Sequence, residues 1–207
     1  MLGSEPLPDI TLTQLVDVVS KSGSPKATCV KQIKEQLASP YDPRNDFYKI
    51  LREAIVDAHA GGLGKAHISS AASHVADPRR SAQYGPIATA YNSWWGRKTI
   101  TWFAPPRSTW TPAGSAFGVV VNPELGLDIN GVHYVVKLYF KADTLSKARV
   151  DIITQLMHDE LTPLHAGAQF SVLDIRNKKL HTVVPPTGLG PALVAELAYV
   201  AALWPLV

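Results

Sequence analysis

FGVVVNPELGLDINGVHYVVKLYFK, residues 117 to 141, is the stretch that decides the fold. Val119, Val120 and Val121 run into Pro123-Glu124, Leu125, Leu127 and Ile129 follow, and a second apolar run extends from Val132 to Phe140. Between the runs stand Asn130 and Gly131, the pair that most readily supplies the positive φ angles of a type I′ turn. The whole stretch is expected to form one β-hairpin whose register the turn specifies. On strict alternation His133, Val135 and Lys137 share one face of the second strand, opposite Tyr134, Val136 and Leu138. Neither face is cleanly polar, which is the pattern of a central strand covered on both sides.

Downstream, a helix is predicted from Asp143 or Thr144 to Pro163. Leu145, Ala148, Ile152, Ile153, Leu156, Met157 and Leu161 form its apolar stripe, with Asp151, Gln155 and His158 along one polar edge. Gln169 to Ile175 reads as a strand, Arg176 to Lys179 as a turn and Leu180 to Val184 as a last strand, followed by an apolar helix. Upstream, Leu12, Leu15, Val16 and Val19 recur at helical spacing behind a Thr11 or Thr13 cap, and Gly23 stops the pattern. Ser24-Pro25 restarts a helix that runs through Val30, Ile33 and Leu37. A third helix covers about Asp46 to Ala60 and ends at Gly61-Gly62.

The expected architecture is therefore α/β in the α+β sense: an N-terminal helical bundle followed by a mixed β-sheet flanked by helices. Residues 1–62 form the helical segment, 63–116 a helical and aromatic linker, and 117–207 the α/β core. In the linker, the chain from His67 to Trp95 is helical in two pieces broken near Asp77-Pro78, and Pro105-Pro106 and Pro112 to Gly114 mark a loop.

Composition bounds the function. The 207 residues are 46% apolar and 18% charged, enough to bury a core. Through residue 100 there are 12 lysines and arginines against 9 acids, and 8 against 8 after it, so the +3 formal charge arises in the N-terminal half. That balance permits a DNA or RNA partner without demanding one. The first two helices, joined by Ser22-Gly23-Ser24, make a helix-turn-helix candidate in which Lys26, Lys31 and Lys34 either reach phosphates or form a solvated face. Arg97 and Lys98 lie among Trp94, Trp95, Trp102 and Trp110, where aromatics either stack bases or seam the helices to the sheet.

The single cysteine, Cys29, excludes an intrachain disulfide and every multi-cysteine metal site, and a reducing, cytoplasmic setting is the expectation. Glu5, Asp9, Asp17 and two prolines stand where a secretory signal would need an apolar run. Leu189 to Val207 is long enough to reach across a bilayer, but Pro191, Pro205 and a mid-span Glu196, at a cost of roughly 2 to 3 kcal/mol, favour a buried or self-associating helix over a membrane one. His67 and His74 are about 10.5 Å apart on a helix, too far to share a metal.

Pro123-Glu124 at a strand end, a tight turn, and an apolar strand carrying Lys137, followed by a helix bearing Gln155, resembles the PD-(D/E)xK nuclease-like superfamily over residues 117 to 161. The resemblance implies a restriction-endonuclease-like core in which Glu124 is the first acid, Lys137 the lysine that positions or activates water, and Gln155 the helix glutamine. It also implies Mg²⁺ or Mn²⁺, which polarise a phosphodiester and acidify a bound water. The sequence departs from the pattern two residues before the lysine, where Val135 replaces an acid. Asp128 is the available second metal ligand beside Glu124, although about 13 Å separates them along an extended strand. Two functions remain open: a nucleic-acid-associated protein with a nuclease-like core, catalytic or degenerate, and a non-enzymatic interaction or regulatory module that self-associates through its apolar C-terminal helix.

Overall fold

The structure is a computed structural model that describes residues 7–40, 42, 46–115, 117–183 and 188–207. Glu5 and Val184, which entered the readings above, lie outside the described residues. The architecture is mixed α+β, with seven α-helices and two mixed sheets among the described residues. In chain order these are β1 (Ile10–Thr11), α1 (Leu12–Val19), α2 (Gly23–Ala38), α3 (Lys49–Ala60), α4 (Gly64–Ser73), α5 (Pro78–Trp95), β2 (Ile100–Phe103), β3 (Ser108–Trp110), β4 (Val119–Val121), β5 (Leu125–Ile129), β6 (Val132–Tyr139), α6 (Lys147–Leu161), β7 (Gln169–Asp174), β8 (Lys179–Thr182) and α7 (Leu189–Leu203), which ends in a 3₁₀ turn, Trp204–Leu206.

The turn chemistry acts where it was expected to. Asn130 and Gly131 have φ of 56° and 83°, and β5 and β6 pair antiparallel from Ile129↔Val132 to Leu125↔Val136. The hairpin is shorter than the quoted stretch. Pro123 has no N–H to donate, so the ladder ends beside it, and β4 turns away into a second sheet of order β1-β4-β3. The larger sheet has the order β2-β5-β6-β7-β8, with β6 and β7 parallel and the other pairs antiparallel. A parallel neighbour needs a long crossover, and α6 provides it.

The helix caps follow local chemistry. Thr11 accepts from the Gln14 N–H at 3.2 Å while the Gln14 side chain accepts from the Thr11 N–H at 2.8 Å, a reciprocal capping box. Asp77 caps α5 by accepting from the Arg79 N–H at 2.8 Å, with Pro78 at the first helical position. Strands β2 and β3 occupy a region read as aromatic linker and loop. Each is four residues or fewer and none of their residues is fully buried, so neither carries the long apolar run that marks a strand in sequence.

Alternation along β6 and β7 divides the interior into two apolar clusters. Val135, Tyr139, Phe170 and Val172 pack with α1, α2, α6 and α7, whereas Val136, Leu138, Leu173 and Ile175 pack with α3, α4 and α5. Trp94, Trp95 and Trp102 join the second cluster and Trp110 the first, so the tryptophans seam helices to sheet. Each cluster draws on all three of the sequence segments distinguished above.

His59 lies in the second cluster, its Nε2 2.8 Å from the Tyr91 hydroxyl and its ring stacked on Trp95 at 4.0 Å. Burial pushes its pKa down to about 4 from an ordinary 6.5 and raises that of Tyr91. The unfolded chain therefore takes up the proton first, so this contribution is intact above pH 6.5 and is lost as the pH falls from there toward 4. Thermal unfolding followed down that range should show a falling Tm, with a shallower slope for His59→Gln; equal slopes would place the acid sensitivity elsewhere.

Candidate functional site

Glu124 and Lys137 are thirteen residues apart in sequence and meet where β5 begins. The Glu124 N–H donates to the Val136 carbonyl at 3.1 Å, the last backbone bond before Pro123 interrupts the ladder. Beyond that point the side chain takes over. Glu124 Oε2 accepts from the Leu138 N–H at 2.8 Å, and Oε1 accepts from Lys137 Nζ at 2.6 Å. An ammonium has three donors, and Lys137 also faces the Asn122 carbonyl at 3.0 Å and Asn122 Oδ1 at 3.4 Å. The side chains are only 14% and 7% exposed, so both charges are compensated inside the protein.

Two further ion pairs share the neighbourhood. Arg52, on α3, holds Asp46 with bonds of 2.7 and 3.3 Å, and Lys141 reaches both Asp17 oxygens at 2.6 Å. Burial works against the Arg52 charge, but the hydrogen-bonded Asp46 carboxylate, aided by Glu124 and Glu53, outweighs it and raises the guanidinium pKa. All six side chains line one cavity of about 160 Å³, whose walls include Leu12 and Val16 of α1, Tyr48 and Ile153 of α6. Three acids and three bases stand among mostly apolar walls, so the cavity is formally neutral.

The donor set does not fit a Mg²⁺ or Mn²⁺ centre as it stands. Both Glu124 oxygens are engaged by N–H donors, and Val135 occupies the position of the absent acid. Asp128 is not at the site. Its Oδ1 accepts from the Gly131 N–H at 2.6 Å and its Oδ2 lies 3.6 Å from His133 Nε2, so it closes the hairpin turn at the opposite end of β5. Gln155 also lies elsewhere: it donates to Asp159 at 2.7 Å and does not line the cavity, to which α6 contributes Ile153.

Two of the three expected phosphate-facing lysines on α2, Lys26 and Lys34, point to α7 and its terminal turn. Lys26 pairs with Glu196 and sits 4.7 Å from the Tyr199 ring, and Lys34 donates to the Trp204 and Val207 carbonyls at 2.9 and 2.6 Å. The reason is electrostatic: Glu196, the only charge on α7, requires a cation where the helices pack, and the C-terminal carbonyls attract another. Lys31 and Arg97 are exposed, while Lys98 donates to the Trp94 carbonyl and lies 4.9 Å from the Trp94 ring. Burial, with Lys65 close by, lowers the Lys98 pKa. Asp17, Asp46, Arg52 and Lys141 were not singled out in the sequence. Asp17 and Lys141 lie 124 positions apart, and no local pattern links residues at such a separation.

Set beside known protein families, curated proteins and solved structures, the chain matches none.

The compensated pair makes a thermodynamic prediction. Lys137→Met leaves the Glu124 carboxylate buried without its cation and should lower unfolding stability by about 3 to 5 kcal/mol. Glu124→Gln/Lys137→Met should cost less than the two single changes added together. Urea unfolding of the four proteins measures this coupling, and strict additivity would show that the pair is not an energetic unit.

Proposed function

We propose that the protein is nucleic-acid-associated and is built on a restriction-endonuclease-like core whose acid–lysine pair has become structural, so that it binds without turning over phosphodiesters. The observation that carries the reading is the meeting of Glu124 and Lys137 across neighbouring strands at 2.6 Å, the arrangement implied by the PD-(D/E)xK resemblance. The non-catalytic part rests on the same geometry. Lys137 spends its donors on Asn122 and Glu124, Glu124 spends both oxygens on protein N–H groups, and Val135 supplies no metal ligand.

Binding would then be to the phosphate backbone by exposed cations, Lys31 and Arg97 among them, and would weaken as salt displaces the advantage of counterion release. Lys26, Lys34 and Lys98 are held by Glu196, the C-terminal carbonyls and the Trp94 carbonyl, so they would contribute field rather than direct contacts. Duplex and single-stranded DNA and RNA, titrated at rising salt with and without Mg²⁺ or Mn²⁺, test both parts. Salt-sensitive binding without nicking is the expected result. Nicking that Glu124→Gln and Lys137→Met abolish in folded protein would restore a catalytic site, and absence of binding at low salt would remove nucleic acid from the account.

A second reading, self-association with another copy of this chain, has its own observation. α7 buries Leu193, Leu197, Val200 and Trp204, while Val194, Tyr199 and Leu206 face outward. Glu196, the only charge on the helix, is turned to Lys26, so the outer face is apolar. By length and composition Leu189–Leu206 could also cross a membrane. Light scattering behind size exclusion should then show a dimer that Val194→Asp/Tyr199→Asp converts to monomer. An unchanged mass in the two proteins would discard this reading, and lipid-dependent sedimentation of the wild type alone would replace it with a membrane surface.

A further inference from the structure

The end of the hairpin away from Glu124 carries chemistry that neither functional reading uses. Asp128 and His133 are direct partners across β5 and β6, and on the same face the turn after α6 delivers His165. His133 Nδ1 lies 3.0 Å from His165 Nε2, and the other nitrogen of His133, Nε2, lies 3.6 Å from Asp128 Oδ2. Both rings are positioned by one aromatic. Phe103 stacks on His165 at 4.6 Å with an interplanar angle of 6° and lies 5.0 Å from the His133 ring.

Phe103 occupies that position because residue 126 is glycine. A Cβ there would stand 2.6 Å from two carbons of the Phe103 ring and 2.3 Å from its carbonyl oxygen. His165 is fixed from its own side by the turn, its N–H donating to the Leu161 carbonyl at 2.9 Å. The two imidazoles are thus held by elements separate in sequence, with their nitrogens facing each other at a half-exposed edge.

We propose that His133 and His165 bind a divalent ion of the zinc, nickel or copper class, with Asp128 as the carboxylate that orients His133. Imidazole suits these borderline cations, whereas Mg²⁺ prefers oxygen. The Asp128 charge 3.6 Å from the far nitrogen favours the Nε2–H tautomer of His133 and leaves Nδ1 as a lone-pair donor. His165 then carries the proton that lies between the rings. Metal binding replaces it: the His165 proton passes through solvent from Nε2 to Nδ1, and both lone pairs turn to the ion with no net proton released. Tetrahedral zinc at about 2.0 to 2.1 Å from each nitrogen sets them roughly 3.4 Å apart, so the nitrogens separate by a few tenths of an ångström and each ring turns to aim its lone pair at the ion. Water completes the shell, because among the described residues no group of three or more His, Cys, Asp or Glu side chains is placed to hold an ion.

Calorimetric titration of the full chain with Zn²⁺, Ni²⁺ and Mg²⁺ tests the assignment. One Zn²⁺ or Ni²⁺ should bind per chain and Mg²⁺ should not. His133→Ala and His165→Ala should each weaken binding at least tenfold, and Asp128→Asn should weaken it by roughly tenfold or more. His67→Ala/His74→Ala should bind as the wild type does, which separates this pair from two other surface histidines. Circular dichroism with chelator present establishes that each variant is folded, and His165→Gln repeats the test if an alanine variant is not. Absence of one-to-one binding in the wild type, or binding that His133 and His165 substitutions leave unchanged, overturns the proposal.

Discussion

A lysine on the inner face of a central strand imposes a constraint on everything around it, because its charge has to be answered without water. Lys137 stands on the same face of β6 as Val135 and Tyr139 and is only 7% exposed along its side chain. Glu124 answers it where the β5 ladder ends and the Leu138 N–H turns to a side-chain acceptor. The carboxylate therefore serves the ammonium and the Leu138 amide together. Pro123 makes the arrangement possible by ending the backbone ladder, and Asn122 supplies the remaining acceptors as the chain turns toward β4. A nuclease-like acid and lysine and a self-contained ion pair use the same two residues at the same spacing. What separates them is whether the lysine keeps a free donor and a second acid stands beside it; here Asn122 and Glu124 take the Lys137 donors and residue 135 is valine.

The remaining charges follow the same rule of internal compensation. Lys141 with Asp17 ties α1 to the end of the sheet where Glu124 lies, Lys26 with Glu196 draws α7 onto α2, and Arg52 with Asp46 pins the start of α3 to the segment before it. Such pairs contribute little net stability where solvent reaches them, but they specify which helix meets which. The positive charge that sequence alone offers to a nucleic acid is in this way partly spent on holding the helices.

Much of the fold was legible because it rests on local chemistry. The Asn130-Gly131 turn, the break at Asp77-Pro78 and the stripe of α6 each depend on residues within a few positions of one another, and each was readable as such, while the cap of α1 was narrowed to Thr11 or Thr13. Strands β2 and β3 were not, since a four-residue strand earns its identity from the neighbour it pairs with; Trp102 opposite Leu127 looks in sequence like one more aromatic in a loop. The extent of the hairpin was overread for a related reason. Val119 to Val121 are as β-prone as the residues after Pro123, and only the competing partners β1 and β3 show to which sheet they belong.

At the site, Glu124 and Lys137 were picked out through the PD-(D/E)xK resemblance, and a strand end, a tight turn and a strand fix their separation. By itself the sequence determined the Asn130-Gly131 turn with the strand on either side of it, the presence of the helices though not where α3 and α6 begin, and the alternation that sets Lys137 on one face with Val135. Tertiary structure decided what surrounds it: that Asp128 belongs to the turn and not to the pair, that Gln155 bonds Asp159 on α6, that Lys26 and Lys34 face α7, and that Asp46 and Arg52 enter the same cavity. The physical reason is one of range. Backbone geometry and capping are set within a turn or two, whereas compensation of buried charge depends on residues as far apart as Asp17 and Lys141, which only the packing of helices on the sheet brings together.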